Sequence, residues 1–124
     1  MIYLDTHVLI QLAVGNREHL GPTATRLVEN QELLVSAAAV LELELLHEIG
    51  RLRPDATKVI STLNEDLGLR VCDLPFRTIV DYALKEGWSR DPFDRLIVAN
   101  AKVRNCELVT KDERMHQHYT RAVW

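Results

Sequence analysis

A chain of 124 residues holds one domain, residues 1–124, with one core and no room for a second. Its 47% hydrophobic and 27% charged residues exclude wholesale disorder, and no apolar run approaches the roughly 20 residues of a membrane span. A formal net charge of −3 is not that of a usual nucleic-acid binder, unless acids gather in one site with bases around it.

Ile2-Tyr3-Leu4 reads as a first strand and 6–14 as a helix ended by Gly15-Asn16. This opening stretch carries Asp5 and His7 and no basic leader, so it does not read as a signal peptide, and the expected location is cytoplasmic. Gly21-Pro22 opens a helix to about residue 30, and Leu33-Leu34-Val35 is a second strand. A long helix over 37–49 closes at Gly50, and another begins at Asp55 after Pro54 and stops at Gly68. Leu69-Arg70-Val71-Cys72 is the third strand, followed by a helix from Pro75 to Gly87. Asp91-Pro92 opens a helix to Arg104, Leu108-Val109-Thr110 is the fourth strand, 112–118 a short helix, and Ala122-Val123-Trp124 a last edge strand. Strands alternating with helices predict an α/β/α sandwich around a central parallel sheet. Ligand sites in such sheets lie beyond the carboxyl ends of the strands.

Cys72 and Cys106 form no paired motif and read as buried free thiols at strand ends. His116 and His118 are too few for a zinc site.

The acids are more informative. Asp5 directly follows the first strand and Asp112 comes two residues after the fourth, so both stand at the sheet's carboxyl edge. Either could be simply a helix N-cap. At about 100° per residue, Glu42 falls between Leu45, Ile49 and Leu46, with Glu44, His47 and Glu48 opposite. A glutamate on an apolar stripe points to the core or a cleft, where its charge needs a cation or a basic partner. In Arg90-Asp91-Pro92-Phe93-Asp94-Arg95, Asp91 is placed as an N-cap before proline. Asp94 either completes a capping-box-like pair or, sharing a face with Ile97, Val98 and Ala101, serves as a ligand, with Asp91 a possible second one. Four carboxylates brought together repel unless cations neutralise them, and hard oxygen donors suit Mg²⁺ or Mn²⁺ rather than zinc. Such a site suits phosphodiester hydrolysis.

Taken in order, several segments resemble the PIN-domain ribonucleases of the VapC toxin type, in the branch with a DPFDR segment. They are Ile2-Tyr3-Leu4-Asp5-Thr6-His7, Val35-Ser36-Ala37 with Glu42 beyond it, Arg90-Asp91-Pro92-Phe93-Asp94-Arg95 with Leu96-Ile97-Val98-Ala99, and Leu108-Val109-Thr110-Lys111-Asp112. The resemblance spans essentially the whole chain. It implies a PIN-like fold, endoribonuclease activity on RNA, a small cognate antitoxin as partner and a homodimer. It also implies a Mg²⁺ or Mn²⁺ pocket of Asp5, Glu42, Asp94 and Asp112, with Asp91 an additional acid of this branch. Thr6 and Thr110, beside the first and last acids, would orient ligands or water. The chain departs from the pattern where Ile10-Gln11-Leu12 replaces a frequent aromatic and where Ser89 replaces a frequent histidine; neither removes an acid.

Arg90, Arg95, Lys102, Lys111 and Arg114 lie on or beside the acid-bearing segments and read either as phosphate contacts or as solvated surface charges. A haloacid-dehalogenase-like phosphatase would need a second aspartate where His7 stands. A receiver domain would need paired acids after the first strand, which are missing here. An RNA-processing nuclease outside any toxin pair, or a PIN-fold binding module without catalysis, stays open as an alternative. P-loop, Rossmann and G-x-S-x-G motifs are absent.

Overall fold

The computed structural model describes residues 1–124. Five strands, β1 (Ile2–Leu4), β2 (Leu33–Val35), β3 (Arg70–Val71), β4 (Glu107–Val109) and β5 (Ala122–Val123), form one sheet in the order β3-β2-β1-β4-β5. Every pairing is parallel. The helices are α1 (Thr6–Ala13), α2 (Pro22–Asn30), α3 (Ala37–Glu48), α4 (Ala56–Leu67), α5 (Phe76–Ala83), α6 (Pro92–Arg104) and α7 (Glu113–His118). This is the predicted α/β sandwich. No helix is long and apolar enough to cross a membrane.

Parallel strands covered on both faces must be apolar on both faces, which explains the unbroken runs Ile2-Tyr3-Leu4 and Leu33-Leu34-Val35, all buried. They share one core with Leu9, Leu43, Leu63, Ile97, Leu108 and Met115. After β1 the chain builds outward through β2 and β3, then returns to the other side of β1 with β4. The carboxyl ends of β1 and β4 therefore flank a reversal in strand order, where open α/β sheets form their crevice.

Several boundaries differ from expectation. The helix predicted to reach Gly87 stops at Ala83, where the Arg95 guanidinium donates to the carbonyls of Ala83 and Leu84 and closes the helix end. Gly68 ends α4 in the left-handed conformation at φ 71°, as its position suggested. Cys72 and Cys106 are free, the first buried and the second half-buried.

The face of α3 requires a correction. Leu45 and Ile49, with Leu41, do not point at the core: they are 40%, 65% and 56% exposed. Ala39 and Leu43 are the buried residues of this helix. On the side of Glu44 and His47, Glu44 accepts from the Ala56 amide at 3.1 Å and the His47 ring donates to the Leu52 carbonyl at 3.0 Å. Apolar periodicity marks a stripe, and a stripe that waits for a partner has the same spacing as one that meets the core.

Candidate metal centre

An open cleft of about 670 Å³ lies at the carboxyl ends of β1 and β4 and is lined by Asp5, Glu42, Asp94 and Asp112. Each acid reaches it from a different element. Asp5 ends β1 and caps α1: its Oδ1 accepts from the Thr6 amide at 2.7 Å, and its Oδ2 accepts from the Thr110 hydroxyl at 2.7 Å. Asp112 caps α7, its Oδ1 accepting from the amides of Arg114 at 2.8 Å and Met115 at 3.2 Å. Capping and cleft-lining coexist: Asp112 serves the helix with one carboxylate oxygen and leaves the other over, while Asp5 divides its two between the helix start and Thr110.

Glu42 reaches the cleft from the middle of α3, beside Leu46, and accepts from the Thr6 hydroxyl. On α6 the two neighbouring acids separate. Asp91 is exposed and caps the helix, accepting from the amides of Phe93 at 2.8 Å and Asp94 at 3.3 Å. Its own amide donates to Ser89 Oγ at 3.0 Å, so no capping box forms with Asp94. Asp94 is half-buried, accepts no hydrogen bond, and faces the cleft. Asp91 does not line that cleft, although its charge is felt there.

Two hydroxyls tie the acids together. Thr6 joins Glu42 to the start of α1. Thr110 donates to Asp5 and accepts from the Asp112 amide at 3.0 Å, linking the acids after β1 and β4 through one oxygen.

The electrostatics follow from crowding. Burial, then repulsion from Asp91, Asp5, Asp112 and Glu42, pushes the Asp94 carboxyl up to about 7. Burial also raises Asp5, against the pull of neighbouring donors, and raises Glu42, helped by repulsion from Asp5 and Asp91. Burial lowers His7.

A hard divalent cation fits this donor set. The four acids supply only oxygen, and Glu42, Asp94 and Asp112 take part in none of the ion pairs of the fold. Gln11 also lines the cleft and has a buried Oε1 without a donor. The acids line the cleft without closing into a tight ligand cluster.

Of the five bases considered, only Lys111 lines the cleft. Arg95 bonds main-chain carbonyls, those of Ala83, Leu84 and, at 3.4 Å, Ser89, and does not line the cleft. Arg90 donates to the Gly87 carbonyl at 2.9 Å and borders a separate apolar groove with Phe76 and Leu84. Lys102 pairs with the buried Glu86. Arg114 donates to the Trp88 carbonyl and sits 5.6 Å from that ring. Sequence reasoning missed His7, Gln11 and Glu113 as lining residues. The first two share a face of α1 at a spacing of four with Ile10 between, a signal present in the sequence.

A parallel sheet with an acid-lined crevice at its strand reversal is the arrangement of a PIN domain. The pattern of that family matches residues 2–120, and the chain belongs to it; nucleases of the family depend in general on divalent metal ions. It is 32% identical over 120 residues to Ribonuclease VapC22 of Mycobacterium tuberculosis, covering 94% of this chain and 91% of that protein. Among solved structures, a chain of a toxin–antitoxin complex from Klebsiella pneumoniae superposes with a TM-score of 0.69 at 18% identity, covering 100% of this chain and 97% of that one. A chain of VapBC2 from Rickettsia felis, bound to a fragment of promoter DNA, gives 0.68 at 18% identity over 94% and 92%. At such identities these two speak for the fold.

Proposed function

We propose that this chain is a Mg²⁺-dependent endoribonuclease and the toxin of a toxin–antitoxin pair. The observation that carries the reading is the set of four carboxylates, from four separate elements, facing one cleft, with Glu42, Asp94 and Asp112 in no ion pair. Its ribonuclease relative supplies RNA as the substrate class.

Asp5, Glu42, Asp94 and Asp112 would hold the metal. When bound, Mg²⁺ or Mn²⁺ acts as a Lewis acid on the phosphate and lowers the pKa of water at the site. The chain's own residues do the positioning. Thr6 orients Glu42, and Thr110 holds Asp5 while fixing the Asp112 backbone. Asp94, which accepts no hydrogen bond, is the acid freest to turn toward the metal. Lys111 at the rim can meet a substrate phosphate. The expected products carry a 5′-phosphate and a 3′-hydroxyl.

Replacing Asp5 with Asn tests the reading. A direct ligand counts for at least as much as the outer groups that typically alter metal sites 10- to 100-fold, so Mg²⁺-dependent RNA cleavage is expected to fall at least about 100-fold. Cleavage at the parent rate would sink the proposal.

A small antitoxin partner is supported by the toxin–antitoxin complexes that share this fold. Homodimerisation rests on α3, whose exposed Leu41, Leu45 and Ile49 form one apolar stripe. A chain that stays monomeric in light scattering at micromolar concentration would overturn the dimer.

A further inference from the structure

His7 stands in the first turn of α1, and its ring connects that helix to the segment between β4 and α7. The Lys111 amide donates to His7 Nε2 at 3.0 Å. Thr110 Oγ1 and Asp5 Oδ2 each lie 3.4 Å from the same nitrogen. A ring nitrogen that accepts an N–H bond presents its lone pair there, so the ring proton belongs on Nδ1. The approach of His7 to Asp5 is therefore not an ion pair. Asp5 Oδ2 takes its hydrogen bond from the Thr110 hydroxyl, at 2.7 Å.

Three consecutive amides hold the 110–112 segment, each by a different partner. Thr110 donates to the Val123 carbonyl at 3.0 Å, Asp112 donates to Thr110 Oγ1 at 3.0 Å, and Lys111 donates to His7. Of these, only the His7 bond comes from the α1 side of the cleft. The ring is kept in place by Trp124, whose centroid is 5.7 Å away at a tilt of 50°. Trp124 in turn lies so close to Gly21 that an added Cβ there would meet its main chain at 2.6 Å.

We propose that His7 is a positioning residue: by accepting the Lys111 amide on Nε2, it straps the 110–112 segment to α1 and so fixes Asp112 and the Lys111 side chain at the cleft. The consequence for the metal rests on the nuclease reading; the strap itself does not.

Nitrogen NMR of the whole metal-free chain at pH 8 reads the tautomer directly. The Nδ1–H form is expected, and an Nε2–H pattern overturns the proposal. Two variants then separate the bond from the bulk. His7→Leu keeps the volume without an acceptor, and His7→Gln can place an amide oxygen near the position of Nε2. Exchange of the Lys111 amide with solvent should quicken about tenfold in His7→Leu, the worth of one ordinary hydrogen bond. Mn²⁺ binding, followed by calorimetry, should weaken about tenfold, as for other groups that orient ligands. Both should return toward the parent values in His7→Gln. Lys111 exchange unchanged in His7→Leu would remove the strap and leave the acid cleft as it is. Undiminished cleavage by the Asp5→Asn variant, with Lys111 exchange still governed by residue 7, would instead remove the nuclease reading and leave the strap.

Discussion

Glu86 and the cleft acids are all carboxylates withdrawn from water, and the fold treats them in opposite ways. Glu86, 2% exposed, is surrounded by donors: Lys102 Nζ meets Oε1, and the Trp88 indole donates to Oε2 at 2.6 Å. Lys102 lies 5.7 Å from the centre of the Tyr119 ring, and Trp88 stacks on His118 at 5.0 Å. The charge is neutralised from within, and the cluster joins the loop before α6 to α6 and α7. Asp94, Glu42 and Asp112 lie at the other end of α6 and beside it: Glu42 accepts from a hydroxyl, Asp112 from two amides and Asp94 from nothing, and none of them forms an ion pair. A buried charge that the chain satisfies itself serves the structure. One it leaves unsatisfied is a place for something else to bind.

The contrast predicts stability changes of opposite sign, and the larger concerns Glu86. Lys102→Met leaves Glu86 buried without its cation. Breaking a fully buried pair costs about 3–5 kcal/mol, and Lys102 is itself 31% exposed, so about 2 kcal/mol is expected in urea unfolding. Adding Glu86→Gln should recover most of it, because the uncompensated charge is then gone. A Lys102→Met protein as stable as the parent would place Glu86 with the cleft acids and break the comparison.

Lys102 also marks what the sequence leaves illegible. The alternation of apolar runs with capped helices carried the sandwich, and topology alone sent Asp5 and Asp112 to one edge of the sheet. Those signals are local, or nearly so: Pro92 behind Asp91, Gly68 behind Leu67, an acid directly after a strand. The bases were harder, because a long side chain can satisfy a group far away in sequence. Arg95 closes a helix 11 and 12 residues before it, and Lys102 reaches back to Glu86. Glu42 teaches a subtler lesson. Its placement among Leu45, Leu46 and Ile49 pointed to a cleft, yet Leu45 and Ile49 face outward and only Leu46 lines the cleft with it. Glu42 lines the cleft although most of the stripe around it faces outward. The helical spacing of His7 and Gln11 was legible, but the bond of His7 to Lys111 was not, since it joins residues 104 positions apart.

The smaller effect belongs to Asp94 and depends on pH. Its carboxyl ionises at about 7 in the folded metal-free protein, against an ordinary value of 3.8. Between those values the native state holds a proton that the unfolded chain has released, so stability falls as pH rises, and the full penalty is present above about 7. Asp94→Asn lacks this penalty. In EDTA the two proteins should therefore unfold alike near pH 4 and diverge toward pH 8, the variant ending more stable by on the order of 1 kcal/mol once solvent screening of a half-buried group is allowed for. Asp5 and Glu42, also raised, add a slope in the same direction, and because they repel Asp94 the difference between the curves reports position 94 together with that coupling. Millimolar Mg²⁺ should reverse the order at pH 8, because only the parent keeps the full ligand set and gains the stabilisation of a bound ion. Parallel curves in EDTA, or a variant that gains as much from Mg²⁺ as the parent, would put Asp94 on the structural side of the comparison, with Glu86.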